Sequence, residues 1–133
     1  SDSLFLDDKG NVYQCDCVVK YMSDNIIKIN ALKNIKQICC NQRTNYAVDI
    51  DGILYSFGKY DNKYGEFGIG KRFDCSNKIN IIKGYHVNKI SGGNNHVLFI
   101  NENGDAYSFG LNNHGQCASF LEIIWKPKIV KYL

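Results

Sequence analysis

The chain is poor in proline, arginine and long apolar runs. One proline and 12 glycines occur in 133 residues, and 44% of the residues are hydrophobic. These values exclude collagen-like and proline-rich disordered segments and favour a compact core. The apolar runs, such as residues 97–100, are far shorter than the roughly 20 residues that cross a bilayer. With no basic segment leading into an apolar one at the N-terminus, we expect neither a membrane span nor a secretory signal.

The sequence also lacks a marked excess of positive or negative charge. Lys and Arg total 16 against 13 Asp and Glu, the net charge is +3, and no five like charges are consecutive. Dedicated nucleic-acid-binding domains carry a strongly basic patch or stripe. The sequence therefore predicts no direct nucleic-acid binding by this segment.

The cysteines lack the paired C-x-x-C spacing of a zinc ribbon. One pair has a C-x-C spacing, one pair is adjacent and two are solitary: Cys15, Cys17, Cys39, Cys40, Cys75 and Cys117. We interpret them as free thiols of an intracellular protein in a reducing compartment, with a disulfide or a metal site as the alternatives.

An internal repeat is the main feature of the sequence. Residues 4–13, 47–58 and 98–110 align on a glycine that a tyrosine follows three positions later. Ile38 and Ile90 each precede their glycine by 14 residues, and Gly52 and Gly104 are 52 residues apart. A fixed period of this length indicates a repeat architecture.

Each unit consists of short runs rich in Val, Ile, Tyr and Phe that flank Lys-Gly, Asp-Gly or Asn-Gly. Such dipeptides favour a tight β-hairpin, because glycine accepts the positive φ that primed turns require. About four short strands in some 50 residues is the size of a propeller blade. We therefore predict an all-β fold of β-propeller blades, each with about four antiparallel strands.

The order Ile90-x-x-Gly93-x-x-His96, followed by Gly104-x-x-Tyr107-x-Phe109-Gly110 and Asn112-x-x-Gly115-Gln116, resembles the repeat of the regulator of chromosome condensation family. That resemblance implies seven-bladed β-propellers. Roughly two and a half blades are then present: an incomplete first blade over 1–34, a second repeat over 35–86 and a third over 87–133. The repeat positions are expected to be structural, with His96 tying strands together by hydrogen bonds: Gly10, Tyr13, Gly52, Tyr55, Gly58, Gly93, His96, Gly104, Tyr107, Gly110 and Gly115.

The chain departs from the repeat pattern at several places. Asn41 replaces a glycine and Thr44 replaces the histidine, and the loop between Gly58 and Gly65 is two residues longer than its counterpart in the third repeat. Cys117 and Ala118 stand where the pattern has Leu-Gly. These divergent repeats weaken the transfer of any one member's activity to this chain.

No motif predicts an active site. The glycine-rich stretch 65–72 has Arg72 where a P-loop needs Ser or Thr for magnesium, and no helix follows it. The stretches that begin at Asp49 and Asn101 resemble calcium loops but lack the closing glutamate, so we interpret them as hairpin turns. We predict no catalytic residue, no cofactor and no metal.

One loop has the composition of a binding surface. It mixes cations with aromatic residues, which are enriched at interfaces: Lys59, Tyr60, Lys63, Tyr64, Lys71, Arg72 and Phe73. The alternative is a solvated loop whose tyrosines cover the edge of a blade.

Two functions follow from the resemblance. Founding-type members are guanine-nucleotide exchange factors for the Ran GTPase and bind chromatin, whereas many relatives are scaffolds or domains of larger signalling proteins. We predict a noncatalytic protein-interaction propeller segment of a larger intracellular protein, nuclear or cytoplasmic. The alternative is an exchange factor for a Ran-like small GTPase with chromatin association. Because two and a half blades cannot close a ring, the remaining blades or other copies are expected as partners.

Overall fold

The structure, a computed structural model, describes residues 2–16, 26–58, 62–70, 78–117 and 121–130. These residues form only β-strands and the turns between them. The strands are β1 (Asp2–Leu6), β2 (Val12–Asp16), β3 (Ile26–Lys28), β4 (Ile35–Cys40), β5 (Asn45–Asp49), β6 (Leu54–Phe57), β7 (Asn80–Ile82), β8 (Val87–Gly92), β9 (His96–Asn101), β10 (Ala106–Leu111) and β11 (Ile123–Ile129). Within these ranges no helix is long and apolar enough to span a membrane.

The strands form three antiparallel sheets in chain order. The first sheet has the order β1-β2-β3, the second β4-β5-β6-β7 and the third β8-β9-β10-β11. Every hydrogen-bonded neighbour is also the neighbour in sequence, as expected when short turns connect antiparallel strands. Each glycine-centred repeat therefore lies in one meander.

The glycine hairpins are built around an Asp or Asn side chain. Gly52 has a φ of 79°, and its amide donates to the Asp49 carbonyl at 3.0 Å. The Asp49 Oδ1 atom accepts from the amides of Asp51 and Ile53, both at 2.9 Å. Asp51 keeps a negative φ, so this is a three-residue loop with one left-handed glycine. The prediction of primed turns is corrected, because the Asp49 side chain supports the turn and only the glycine needs positive φ.

Two apolar clusters join the sheets. One lies between the first and second sheets and contains Val12, Ile35, Ala47 and Phe57. The other lies between the second and third sheets, and its buried members are Tyr46, Val48, Leu54, Ile82, Val87, Ile90, Val97, Phe99, Phe109, Cys117 and Ile124. Burial of apolar area is the main favourable term in folding, so the sheets are held face to face by these clusters.

Backbone contacts at the hairpins fix how successive sheets meet. The Val87 amide donates to the Gly52 carbonyl at 2.9 Å, and a Cβ on Gly52 would lie 3.0 Å from the Cα atom of His86. Gly10 meets Asn34 in the same way, and both Asn34 and His86 have positive φ. Glycine is required at these hairpins because the next sheet begins against its backbone. We call these contacts the first and second junctions.

The third sheet has one face without a neighbour among the described residues. Leu98 and Ile100 are 40% and 43% exposed, whereas Tyr46 and Val48, at the same distance before the repeat glycine, are fully buried. Gly104 has no atom within 4 Å of an added Cβ. The second sheet packs one apolar face against the third sheet. The third sheet has an equivalent face, and no described residue covers it.

Candidate functional site

The predicted binding loop lies at one end of the second sheet. Lys63 and Tyr64 fall in the described part of this loop, residues 62–70, beside the turn between β4 and β5. The other predicted loop residues lie outside the described residues: Lys59, Tyr60, Lys71, Arg72 and Phe73. Among the predicted loop residues, the structure therefore describes the contacts of Lys63 and Tyr64.

Four side chains form a cluster here, which we call the rim cluster: Arg43, Lys63, Tyr64 and Glu66. The Arg43 Nε atom lies 3.2 Å from the Glu66 Oε1 atom, and the Glu66 side chain is fully buried while that of Arg43 is 22% exposed. The Arg43 guanidinium lies 5.4 Å from the centroid of the Tyr64 ring, and the Lys63 ammonium 5.1 Å. Each cation lies within the roughly 6 Å at which an aromatic ring attracts it, and the buried Glu66 carboxylate pairs with the arginine.

The turn that carries Arg43 explains why Asn41 replaces the repeat glycine. The Asn41 Oδ1 atom accepts from the amides of Arg43 and Thr44 at 2.9 and 2.7 Å, and its Nδ2 donates to the Tyr46 hydroxyl at 2.9 Å. That hydroxyl donates to the Glu66 carbonyl at 2.5 Å. Burial, and then the nearby Glu66 carboxylate, hold the pKa of Tyr46 well above its usual value. Asn41 thus connects the arginine turn to the loop that carries Glu66.

In the third repeat, the space that Asn41 fills in the second is filled by the side chain of His96. The imidazole of His96 occupies the position that a side chain on Gly93 would need, and the Gly93 amide donates to the His96 carbonyl at 2.9 Å. Burial lowers the pKa of His96. The pair Gly93 and His96 of the third repeat therefore fills the same space as the pair Asn41 and Thr44 of the second.

The repeat tyrosines lie at the opposite ends of the sheets, beside the hairpins. The Tyr55 hydroxyl donates to the Asp49 Oδ2 atom at 2.9 Å, and burial, followed by this bond and the Asp49 charge, raises the pKa of Tyr55 to about 12. Tyr13 donates to Asp7 at 3.3 Å. Tyr107 instead stacks on Phe99, with ring centroids 5.1 Å apart. Asp49, which begins one of the two stretches that resemble calcium loops, is thus engaged by its own turn, as Asp7 is in the first repeat.

The glycine-rich stretch packs against the third sheet. A Cβ on Gly65 would lie 2.8 Å from the Ile124 carbonyl, and one on Gly68 would lie 3.0 Å from the Phe109 ring. The Gly70 amide donates to the Trp125 carbonyl at 2.7 Å. These glycines permit a close approach between sheets, and Gly115, the counterpart of Gly65, has open space beside it.

At the rim end of the sheets, Gly58 directly follows β6 and Gly110 is the penultimate residue of β10. A Cβ on Gly58 would lie 2.9 Å from the Arg43 carbonyl, and one on Gly110 would collide with the Asn95 carbonyl. Both positions therefore need a residue without a side chain.

Of the described cysteines, Cys39 and Cys117 are free thiols. Burial raises the pKa values of Cys39 and Cys117, which disfavours their reactive thiolate forms. In the described part of the chain, no three His, Cys, Asp or Glu side chains come together as a metal site would need.

Sequence reasoning missed Arg43. It is one of only two arginines beside 14 lysines, and it stands in the turn where the repeat pattern fails. That coincidence was a usable signal, because Arg forms planar ion pairs and stacks on aromatic rings in ways that Lys does not.

The fold class is a segment of a β-propeller. The chain superposes on the crystal structure of human WBSCR16 with a TM-score of 0.82 and 16% identity, covering 99% of this chain and 37% of that one. Residues 87–116 match the family model for the regulator of chromosome condensation (RCC1) repeat. The family resemblance and the all-β propeller fold predicted from the sequence are both confirmed.

Curated relatives carry the repeat in very different proteins. The chain is 31% identical over 97 residues to the zebrafish (Danio rerio) E3 ubiquitin-protein ligase MYCBP2, covering 73% of this chain and 2% of the relative. It is 30% identical over 101 residues to the Drosophila melanogaster regulator of chromosome condensation, covering 73% of this chain and 16% of the relative. The chain thus spans a small part of the length of these relatives.

Proposed function

We propose that this chain is a noncatalytic, protein-binding segment of a propeller in a larger intracellular protein, nuclear or cytoplasmic. The rim cluster is the observation that carries the proposal. Half-buried Arg43 pairs with the buried Glu66 carboxylate, the Tyr64 amide donates to the same carboxylate at 3.4 Å, and exposed Lys63 lies against the Tyr64 ring. Arginine and tyrosine give contact energy at modest entropic cost when they are already held in place. Support also comes from the relatives, since a ubiquitin ligase and a chromosome regulator have in common the propeller repeat and not a chemistry.

The segment binds through a ring that other blades complete. Leu98, Ile100 and Gly104 are uncovered on the third sheet, and Phe5 is 50% exposed on the first. Radial repetition leaves a stable fold only when each blade face is covered. The remaining blades of a longer chain, or other copies of this one, would cover these two faces.

Affinity capture with the full-length protein tests the rim. The double variant Lys63→Ala/Tyr64→Ala keeps Arg43 and Glu66 paired, so the fold is retained. The control Lys36→Ala/Lys89→Ala removes exposed lysines elsewhere. We expect partner recovery to fall at least about tenfold with the rim variant and to be unchanged with the control. Equal recovery with both variants excludes the rim as the interface.

Guanine-nucleotide exchange on a Ran-like small GTPase is the second candidate. The identity to the Drosophila regulator of chromosome condensation, over 101 residues, favours it. Such a protein works by stabilising the nucleotide-free GTPase and needs no bond chemistry of its own. Full-length protein mixed with the GTPase carrying a fluorescent nucleotide should accelerate release; no acceleration at micromolar concentrations rejects this candidate.

A further inference from the structure

A polar pocket lies beside the first junction, at the opposite end of the sheets from the rim cluster. Its volume is about 480 Å³, within the range typical of small-molecule sites. Three lysines and three asparagines line it: Lys9, Lys28, Lys33, Asn11, Asn30 and Asn34. Leu32, which is 1% exposed and belongs to the apolar cluster beneath, also borders it.

The three lysines converge from separate segments. Lys9 stands in the β1–β2 turn, Lys28 ends β3, and Lys33 lies in the connection to β4. No carboxylate is among the described residues that line the pocket. Each ammonium brings three donors and no acceptor, so the pocket has an excess of positive charge and of hydrogen-bond donors.

The nearest acid on the same turn is committed to the turn itself. The Asp7 carboxylate accepts from the amides of Lys9 and Asn11 at 3.0 and 2.8 Å, and from the Asn11 and Tyr13 side chains. These bonds, led by the Asn11 amide, lower the pKa of Asp7. Asp8 is exposed on the turn and does not line the pocket. Neither carboxylate therefore occupies the space in which an anion would bind.

The pocket is not a general property of the repeat. Residues of the two junctions can be matched by their position relative to the repeat glycine and by the residue that they pair with across the sheet. For example, Lys28 pairs with the repeat tyrosine Tyr13, and Ile81 pairs with the repeat tyrosine Tyr55. The residues of the second junction equivalent to the six polar lining residues are Asp51, Ile53, Ile81, Lys83, Tyr85 and His86. There one acid and one lysine replace three lysines, although both junctions have the same backbone geometry. The repeat does not require the lysines of the first junction for folding.

We propose that this pocket binds a compact anion with two or three linked phosphate groups. Three lysine side chains that line one concave space complement several negative charges, and the asparagine amides add neutral donors for the remaining oxygens. A single phosphate would leave part of the charge uncompensated. The ligand is either a free inorganic polyphosphate or the phosphate chain of a nucleotide. This site is separate from the rim cluster and does not depend on the proposed function.

Calorimetric titration of the full chain with inorganic triphosphate, at near-physiological salt, tests the proposal. The variant Lys9→Ala/Lys28→Ala/Lys33→Ala removes the pocket charge. The control Lys36→Ala/Lys83→Ala/Lys89→Ala removes the same charge from exposed lysines elsewhere, and circular dichroism checks that both fold. We expect one site in the parent chain, about tenfold or more weaker binding in the pocket variant, and no change in the control.

A second titration, with adenosine triphosphate, separates the two sources of the ligand. Equal affinity for both probes indicates recognition of the phosphates alone, and tighter binding of the nucleotide indicates that it is the ligand; either result supports the site. Equal weakening by the two triple variants would show only diffuse electrostatics and overturns the proposal. So does the absence of binding of both probes to the parent chain at millimolar concentration. The single variant Lys28→Gln should weaken binding in the same direction if the triple variant fails to fold.

Discussion

The second and third sheets have the same repeat but different neighbours. All five residues of β5 are buried, because the second sheet lies between two others, whereas β9 alternates between buried and exposed residues. Tyr46 and Leu98 occupy one repeat position and differ by 40 percentage points in exposure. The repeat position therefore determines which face a side chain takes, and the adjacent sheet determines whether that face is buried.

The two sheets also differ at the rim. The second repeat fills the turn with Asn41 and presents Arg43 above a buried glutamate, and the third fills it with the ring of His96. Asn41, where the family pattern fails, thus lies in the turn that carries the arginine of the rim cluster. Divergence within a repeat indicates where a common scaffold carries a particular surface.

The largest expected contrast lies between Tyr46 and Leu98. Tyr46→Ala removes a fully buried ring and its hydrogen bonds and should lower the free energy of unfolding by about 4 kcal/mol. Leu98→Ala, on the face that is uncovered in the isolated 133-residue chain, should cost that chain less than about 1 kcal/mol. Urea unfolding of both variants measures the difference. Similar losses would mean that the third sheet is covered in solution, and Tyr46→Phe, which keeps the ring, gives an intermediate reference.

The hairpin glycines provide the next contrast. Alanine at Gly52 or Gly104 meets the same positive φ, which costs about 1–2 kcal/mol. At Gly52 the new Cβ also presses on the backbone of His86 at 3.0 Å, whereas Gly104 has open space. We expect Gly52→Ala to be the more destabilising by about 1–2 kcal/mol in thermal or urea unfolding. The comparison fails if both variants lose the same stability.

A double-mutant cycle tests the exchange of bulk at the rim. Gly93→Asn alone should be destabilising, since the His96 ring occupies its space. Adding His96→Thr recreates the pair found at Asn41 and Thr44 and should recover about 1 kcal/mol. Chemical unfolding of both single variants and the double variant yields the coupling. Additive losses would contradict the idea that the two pairs fill equivalent space.

The last contrast is a pH dependence. The pKa of Tyr55 is about 12 in the folded chain and about 10 when unfolded. The folded state thus keeps a proton that the unfolded state releases, so this contribution is fully present below pH 10 and is lost as the pH rises towards 12. Ultraviolet titration of the phenolate, with Tyr55→Phe as control, measures it. Titration of all tyrosines near pH 10 is the opposing result.

Some features of the site were predictable from sequence because they are local. The turn glycines, the tyrosines beside them and the all-β pattern depend on residues a few positions apart. Lys63 and Tyr64 were found by composition. Arg43 and Glu66 were not, because they are 23 residues apart and meet only when two loops of one sheet converge. The lysines of the first-junction pocket were missed for the same reason.

The sequence by itself determined the repeat, the strands and the turn positions, because hydrophobic alternation and glycine conformation are properties of short segments. Only the tertiary structure decided which equivalent residues are buried, which glycines are sterically required and which charges converge. Burial and electrostatics depend on distances between segments far apart in the chain. The same repeat pattern therefore supports a buried core between the sheets, while residues that differ between repeats form the rim cluster at one end and the lysine-lined pocket at the other.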